Sequence, residues 1–164
     1  MKKFFALFLI LSSIILSSYG TEEYSLSAGV SVNEIPETFF GSWRINAKLE
    51  DTNSYKTFKP QSADMWNLSR IGDTVQLKNP FTGADSTISL KTVEGNLIVF
   101  SRKVPYDNKM LTDTVAIRLD ETSFKGINTL TLESFSYVDN HLMKTEYARY
   151  TISGEKISGE SILK

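Results

Sequence analysis

From Phe39 to its C-terminus the chain alternates, apolar and polar residues trading places at every second position in short runs broken by turn-forming clusters. A period of two sends successive side chains to opposite faces of a strand. No window keeps a helical period for more than about two turns. The runs predict strands at 42–51, 64–70, 74–78, 86–93, 97–103, 111–119, 124–137, 144–153 and 156–163. The clusters between them, among them Ile71-Gly72-Asp73, Glu94-Gly95-Asn96 and Ser153-Gly154-Glu155, supply turn chemistry. The expected fold is all-β: an antiparallel up-and-down barrel of about eight or nine strands, with a β-sandwich as the alternative.

The same period assigns the faces. Trp66 and Leu68 share one, as do Val75 and Leu77, Ile88 and Leu90, Ile98 and Phe100, and Val115, Ile117 and Leu119. The positions between them are mostly Asn, Ser, Gln, Thr, Lys and Arg, so one face is buried and the other wet. An outer-membrane barrel needs an apolar outer face, and these polar positions argue against one.

Residues 1–20 read as a cleavable export signal. Met1-Lys2-Lys3 is a positive start, an apolar stretch from Phe4 to Leu16 follows, and Ser18-Tyr19-Gly20 offers small residues at a cleavage site. Residues 21–38 are polar and read as a leader, leaving 39–164 as one barrel domain. The expected location is periplasmic or extracellular, with the mature chain soluble and without a membrane span. There is no cysteine, which removes disulfides and a lipid-modified cysteine together, so the core must supply stability. Without Lys2 and Lys3 the balance is 16 basic against 19 acidic residues, a net charge of −3. The charges are interspersed along the chain with no basic stripe, which argues against nucleic acid or an anionic membrane as partner.

Connection lengths divide the barrel into unlike ends, because an up-and-down meander sends alternate connections to the same end. Three links, around Gly72, Gly95 and Glu121, are tight. The links through Tyr55, Phe81, Tyr106 and Asn140 are longer, and loops held by a rigid scaffold are where binding is usually found.

Gly41-Ser42-Trp43, opening the first strand, resembles the Gly-x-Trp motif of the lipocalins and related calycin barrels. The resemblance implies that Trp43 plugs the closed end and that an Arg near the end of the last barrel strand packs over its ring. Arg149 is the residue it assigns to that role. It also implies a large first loop acting as a lid over the open end, and a small apolar or amphipathic ligand beneath it.

The chemistry-bearing residues are few. His141 is the single histidine, so with no cysteine the usual zinc ligand sets are not available within one chain. No nucleophile motif accompanies it; no catalytic residue, metal or cofactor is expected, and the chain reads as a non-enzyme. Asp64, Arg102 and Asp113 keep the inward phase of their strands and fall at the open end. They read as rim charges, as a structural Arg–Asp pair, or as a polar ring in which Arg102 grips an anionic head group. Below them Trp66, Ile88, Phe100 and Val115 face inward, and Tyr106 lies in an open-end loop. Such residues build a solid core and a cavity wall equally well. Two functions are therefore carried forward: a small hydrophobic or amphipathic ligand bound at the open end, or a solid-cored envelope or secreted domain acting through protein contacts. A carboxylate-based enzyme using Asp64 and Asp113 is a third and weaker alternative.

Overall fold

Residues 30–158 are described by a computed structural model. The export signal read over 1–20 and the last positions of the ninth expected strand, 159–163, lie outside them. Eight antiparallel strands form one closed barrel in sequence order: β1 (Gly41–Thr52), β2 (Gln61–Ile71), β3 (Thr74–Lys78), β4 (Asp85–Glu94), β5 (Leu97–Tyr106), β6 (Lys109–Leu119), β7 (Ser123–Phe135) and β8 (Leu142–Ser158). The β1–β8 ladder closes the ring, which decides for a barrel over a sandwich.

Directly paired residues share a face, and the register carries the alternation around the ring. Trp43 opposes Trp66, Leu68 opposes Leu77, Val75 opposes Ile88, and Phe100 lies between Leu90 and Val115. These inward positions, except partly buried Leu90, form the buried core with Ile45, Ile98, Ile117 and Ile152. Gly72 and Gly95 turn two of the closed-end hairpins at φ +58°, a left-handed geometry that glycine adopts without steric cost.

The expected break at Ser153-Gly154-Glu155 is not a turn. β8 runs through it unbroken for 17 residues, so the eighth and ninth expected strands are one. Gly154 is instead a site of close packing. The Phe124 ring lies against it so tightly that an added Cβ would stand 2.2 Å from a ring carbon. A glycine inside a strand has two readings, a break or a close approach. Here the neighbour across the ladder, Phe124, selects the second.

The closed end is sealed by the chain preceding β1. Two short 3₁₀ turns, Val32–Glu34 and Glu37–Phe39, bury Val32, Ile35 and Phe39 in the core. Phe39 meets Phe100 edge-on with ring centroids 5.9 Å apart, and its carbonyl accepts a 2.9 Å hydrogen bond from the Trp43 indole. Trp43 is fully buried, so its N–H needs that partner. The cation over Trp43 is Lys156, 5.3 Å from the ring centroid, and not Arg149. The physical reason is register: Lys156 stands directly opposite Trp43, whereas Arg149 opposes Asp51 at the far end of β1. Arg149 points outward and pairs with exposed Glu50.

Candidate functional site

The barrel wall opens on one side of its upper half. The β4–β5 ladder ends at Ser89↔Ser101. Above it, residues 85–88 remain paired with β3, while residues 102–106 remain paired with β6. The two strands therefore diverge toward the open end and leave a slit. Pro105 fits this edge. The pair flanking a two-residue turn, here Tyr106↔Lys109, is hydrogen-bonded, and bonding then alternates along the ladder. Pro105, opposite Met110, thus turns its missing N–H toward the slit, where nothing in β6 requires it.

A pocket of about 620 Å³ occupies the slit, lined by Asp64, the β3–β4 loop, Ser86, and β5 from Arg102 to Tyr106. Arg102 is its most constrained group. Its Nε donates to Asp113 Oδ2 at 2.9 Å, with the two side chains 15% and 7% exposed. Nη1 reaches Ser86 Oγ at 3.3 Å, and Nη2 has no hydrogen-bond partner among the described residues. Asp113 is satisfied from its other side by Asn128 Nδ2 at 2.5 Å. Arg102 is thus held in position by one carboxylate while part of its fork remains available to the pocket.

Asp64 forms the opposite wall by a different route. Its Oδ1 accepts from the Met65 amide at 2.8 Å and from Asn79 Nδ2 at 2.5 Å. The Asn79 side-chain oxygen in turn accepts from the amides of Phe81 and Thr82, at 2.9 and 3.1 Å. Buried Asn79 therefore ties the β3–β4 loop to the inner wall. Asp64 and Asp113 do not form a dyad: β2 and β6 lie four strands apart in a ring of eight, and the pocket is lined by the first carboxylate and not the second.

The other expected ligand contacts divide by depth. Tyr106 lines the pocket and is half exposed. Trp66, Ile88, Phe100 and Val115 lie below it in the packed layer. There Trp66 stacks on Phe124 with centroids 6.0 Å apart and meets Phe100 edge-on at 6.1 Å. Between this layer and the mouth, Ala47, Leu49, Leu130 and Leu132 are only partly buried, while partly buried Leu90 lies level with Phe100, on the closed-end side of Ile88.

The β1–β2 loop folds down over the mouth. Phe58, at its centre, is buried and joins the core cluster. The loop is fastened on both sides of that ring: Thr57 Oγ1 donates to Glu146 at 2.8 Å, and the Tyr150 hydroxyl donates to the Lys59 carbonyl at 3.0 Å. Glu146 faces inward on β8, takes an ion pair from Lys144 at 2.8 Å, and has its pKa lowered to about 2. The lowering comes first from the Lys144 hydrogen bond, then from the Ser54 and Thr57 hydroxyls. Burial of Tyr150 pushes its phenol upward. Sequence reasoning passed over Glu146, although the phase was visible in the alternation Glu146, Ala148, Tyr150, Ile152.

His141 is exposed in the β7–β8 loop, its Nδ1 2.6 Å from Asp139. Among the described residues no cluster of His, Cys, Asp or Glu is arranged to hold a metal. A larger concavity, about 1020 Å³, lies over β1, β2, β7 and β8 and is lined mainly by outward-phase residues such as Asn46, Lys48 and Thr151. It has no buried charged group at its floor, so the smaller pocket is the better candidate.

Neither a scan against protein-family models nor a search of curated proteins finds a match to this chain. The functional reading rests on the geometry.

Proposed function

We propose that this barrel is a non-enzymatic binding protein for a small amphipathic molecule with an anionic head. The head enters the slit between β4 and β5 and bonds the free side of the Arg102 fork, with Asp64 and Tyr106 as neighbours. The apolar part points toward Leu130 and Leu132 beneath the lid. One observation carries the reading: a mostly buried arginine, fixed from behind by Asp113, faces a pocket in a gap of the barrel wall. A lone structural ion pair needs neither the gap nor the free nitrogen. The export expected from residues 1–20 belongs to the same reading and places the ligand outside the cytoplasm.

Uptake of medium-chain and long-chain fatty acids by the purified protein, followed by native mass spectrometry, tests it. Stoichiometric uptake by the native chain, reduced at least tenfold in Arg102→Gln, supports the proposal. Uptake of the matching alcohols as strongly as the acids removes the anionic head from it, and no uptake of either removes the ligand. A second reading is favoured by the dense aromatic floor and by Phe58 in the mouth: a solid barrel acting through surface contacts. The absence of any uptake, with or without the lid ring, selects that reading.

A further inference from the structure

The pocket in the slit is lined by charges of both signs that do not pair with each other. Arg102 is bound to Asp113, and Asp64 forms no ion pair among the described residues. The β3–β4 hairpin explains the separation. Its ladder with β2 stops at Asn67↔Lys78 and its ladder with β5 stops at Ser89↔Ser101. Toward the open end the hairpin is therefore flanked by a gap on each side, with Asp64 beside one and Arg102 beside the other. The hairpin also fixes both. Asn79, just after β3, donates to Asp64 Oδ1, and Ser86, near the start of β4, accepts from Arg102 Nη1.

Each charge is held through some of its polar atoms and open through the rest. Asp64 Oδ1 takes two donors, the Met65 amide and Asn79, while Oδ2 has no hydrogen-bond partner among the described residues. Arg102 uses Nε on Asp113 and Nη1 on Ser86, and Nη2 is likewise open. An anion alone suits one of these groups and opposes the other. The inner layer already holds two carboxylates, Asp64 and Asp113, against one guanidinium. A singly anionic head adds a third negative group there, whereas a head with a cation beside its anion leaves the balance unchanged. The remaining charges of the lining, Asp85 and Lys103, are exposed at the rim and of opposite sign.

We propose that the head of the ligand is zwitterionic: its anionic oxygen bonds Arg102 Nη2, and its ammonium donates to Asp64 Oδ2. This head presupposes the amphiphile binding proposed for the slit and names its chemical class, a single-chain amphiphile with a primary ammonium beside a phosphate or carboxylate. The cation carries N–H, because a carboxylate oxygen holds an N–H donor in a short charge-assisted bond that a fully methylated nitrogen cannot make. Tyr106 is the one aromatic ring among the described residues lining the pocket, too few for the cage that a quaternary ammonium needs.

Three lysophospholipids of one acyl length, kept below the concentration at which they form micelles, test the head on the full chain by native mass spectrometry. Lysophosphatidylethanolamine carries both charges with N–H, lysophosphatidylcholine carries both without it, and lysophosphatidylglycerol carries the anion alone. The ethanolamine lipid should bind at least about tenfold more tightly than either of the others, the weight of one hydrogen bond between charged groups. Asp64→Asn keeps the oxygen to which Met65 and Asn79 donate, so urea unfolding should find it near native stability, and the preference should vanish. Equal affinity for the ethanolamine and glycerol lipids, a choline lipid bound as tightly as the ethanolamine lipid, or a preference that survives Asp64→Asn would each overturn the zwitterionic head. In each of those cases, fatty-acid uptake that is lost in Arg102→Gln leaves the anionic head standing. No uptake of any lipid removes the amphiphile, and its head with it.

Discussion

The Lys156 ammonium lies over the Trp43 ring and also donates to the Thr38 carbonyl at 2.7 Å, joining β8, β1 and the preceding 3₁₀ turn at one point. Burial lowers its pKa from the usual lysine value, the cost of holding a cation against an indole at the barrel floor. Removing the charge while keeping an apolar chain, as in Lys156→Met, should destabilise the protein by roughly 1 kcal/mol. Arg149→Ala should cost less than about 0.5 kcal/mol, because its pair with Glu50 is exposed. Urea unfolding of both variants checks the order, and a larger loss at Arg149 would contradict the closed-end assignment.

Gly154 tests the continuity of β8. An alanine there must displace the Phe124 ring, which is itself packed against Trp43 and Trp66. Gly154→Ala should destabilise by about 2 kcal/mol, in the range of overpacked cores. Gly72→Ala would be strained for another reason, its φ of +58°, with nothing within 4 Å of the new methyl. Adding Phe124→Leu should recover part of the loss at Gly154 and none at Gly72. A double-variant cycle in urea reads this directly.

These two glycines show where the sequence was legible. The phase of the strands was readable because a one-residue slip would turn every core side chain into water. That rule located Asp64, Arg102 and Asp113 on the inner face, and the connection lengths separated the unlike ends. The phase rule is blind elsewhere. It has no term for what lies across the ladder, so Gly154 looked like Gly72. It also has none for short turns. Val32, Ile35 and Phe39 are spaced by three and four through polar residues, and only the barrel floor explains their burial. The slit above Ser89↔Ser101 was equally out of reach, since it depends on where a ladder stops and not on which residues compose it.

Asp113 holds Arg102 in place, and the pair should be far more sensitive to losing one member than both. Asp113→Asn leaves the guanidinium mostly buried against a neutral amide and should cost roughly 3 kcal/mol. Arg102→Met with Asp113→Leu should cost less than the single change, because no unpaired charge remains. Thermal and urea unfolding of the three proteins decides it. Equal losses in the two variants would mean that the pair is solvated.

Glu146 gives the fold an acid-sensitive strap. Its carboxylate has a pKa of about 2 against an ordinary 4.5, so the folded state binds this proton less readily than the unfolded one. The stability it contributes is therefore complete above pH 4.5 and is lost as pH falls from there through about 2. Glu146→Gln should lower the melting temperature at pH 7 and narrow the gap from the native protein as pH approaches 2. A gap that widens on acidification would contradict the sign.

The lid ring is where stability and binding should separate. Phe58 is buried in the mouth, yet its loop is anchored by a few hydrogen bonds, chiefly to Glu146, Tyr150 and the Thr145 and Tyr147 backbone. Phe58→Ala removes a buried ring, which in a close-packed core costs about 3–5 kcal/mol. Here the loss should fall nearer 2 kcal/mol, because the loop can relax without disturbing the strands beneath. The same change vacates space above Leu130 and Leu132. An apolar dye such as anilinonaphthalene sulfonate, whose sulfonate suits Arg102, should then bind at least tenfold more tightly, and Arg102→Gln in the Phe58→Ala background should reverse most of that gain. Tighter binding without dependence on Arg102 would locate the dye elsewhere. If affinity fell with the stability, Phe58 would be part of the binding wall and not a plug that the ligand displaces.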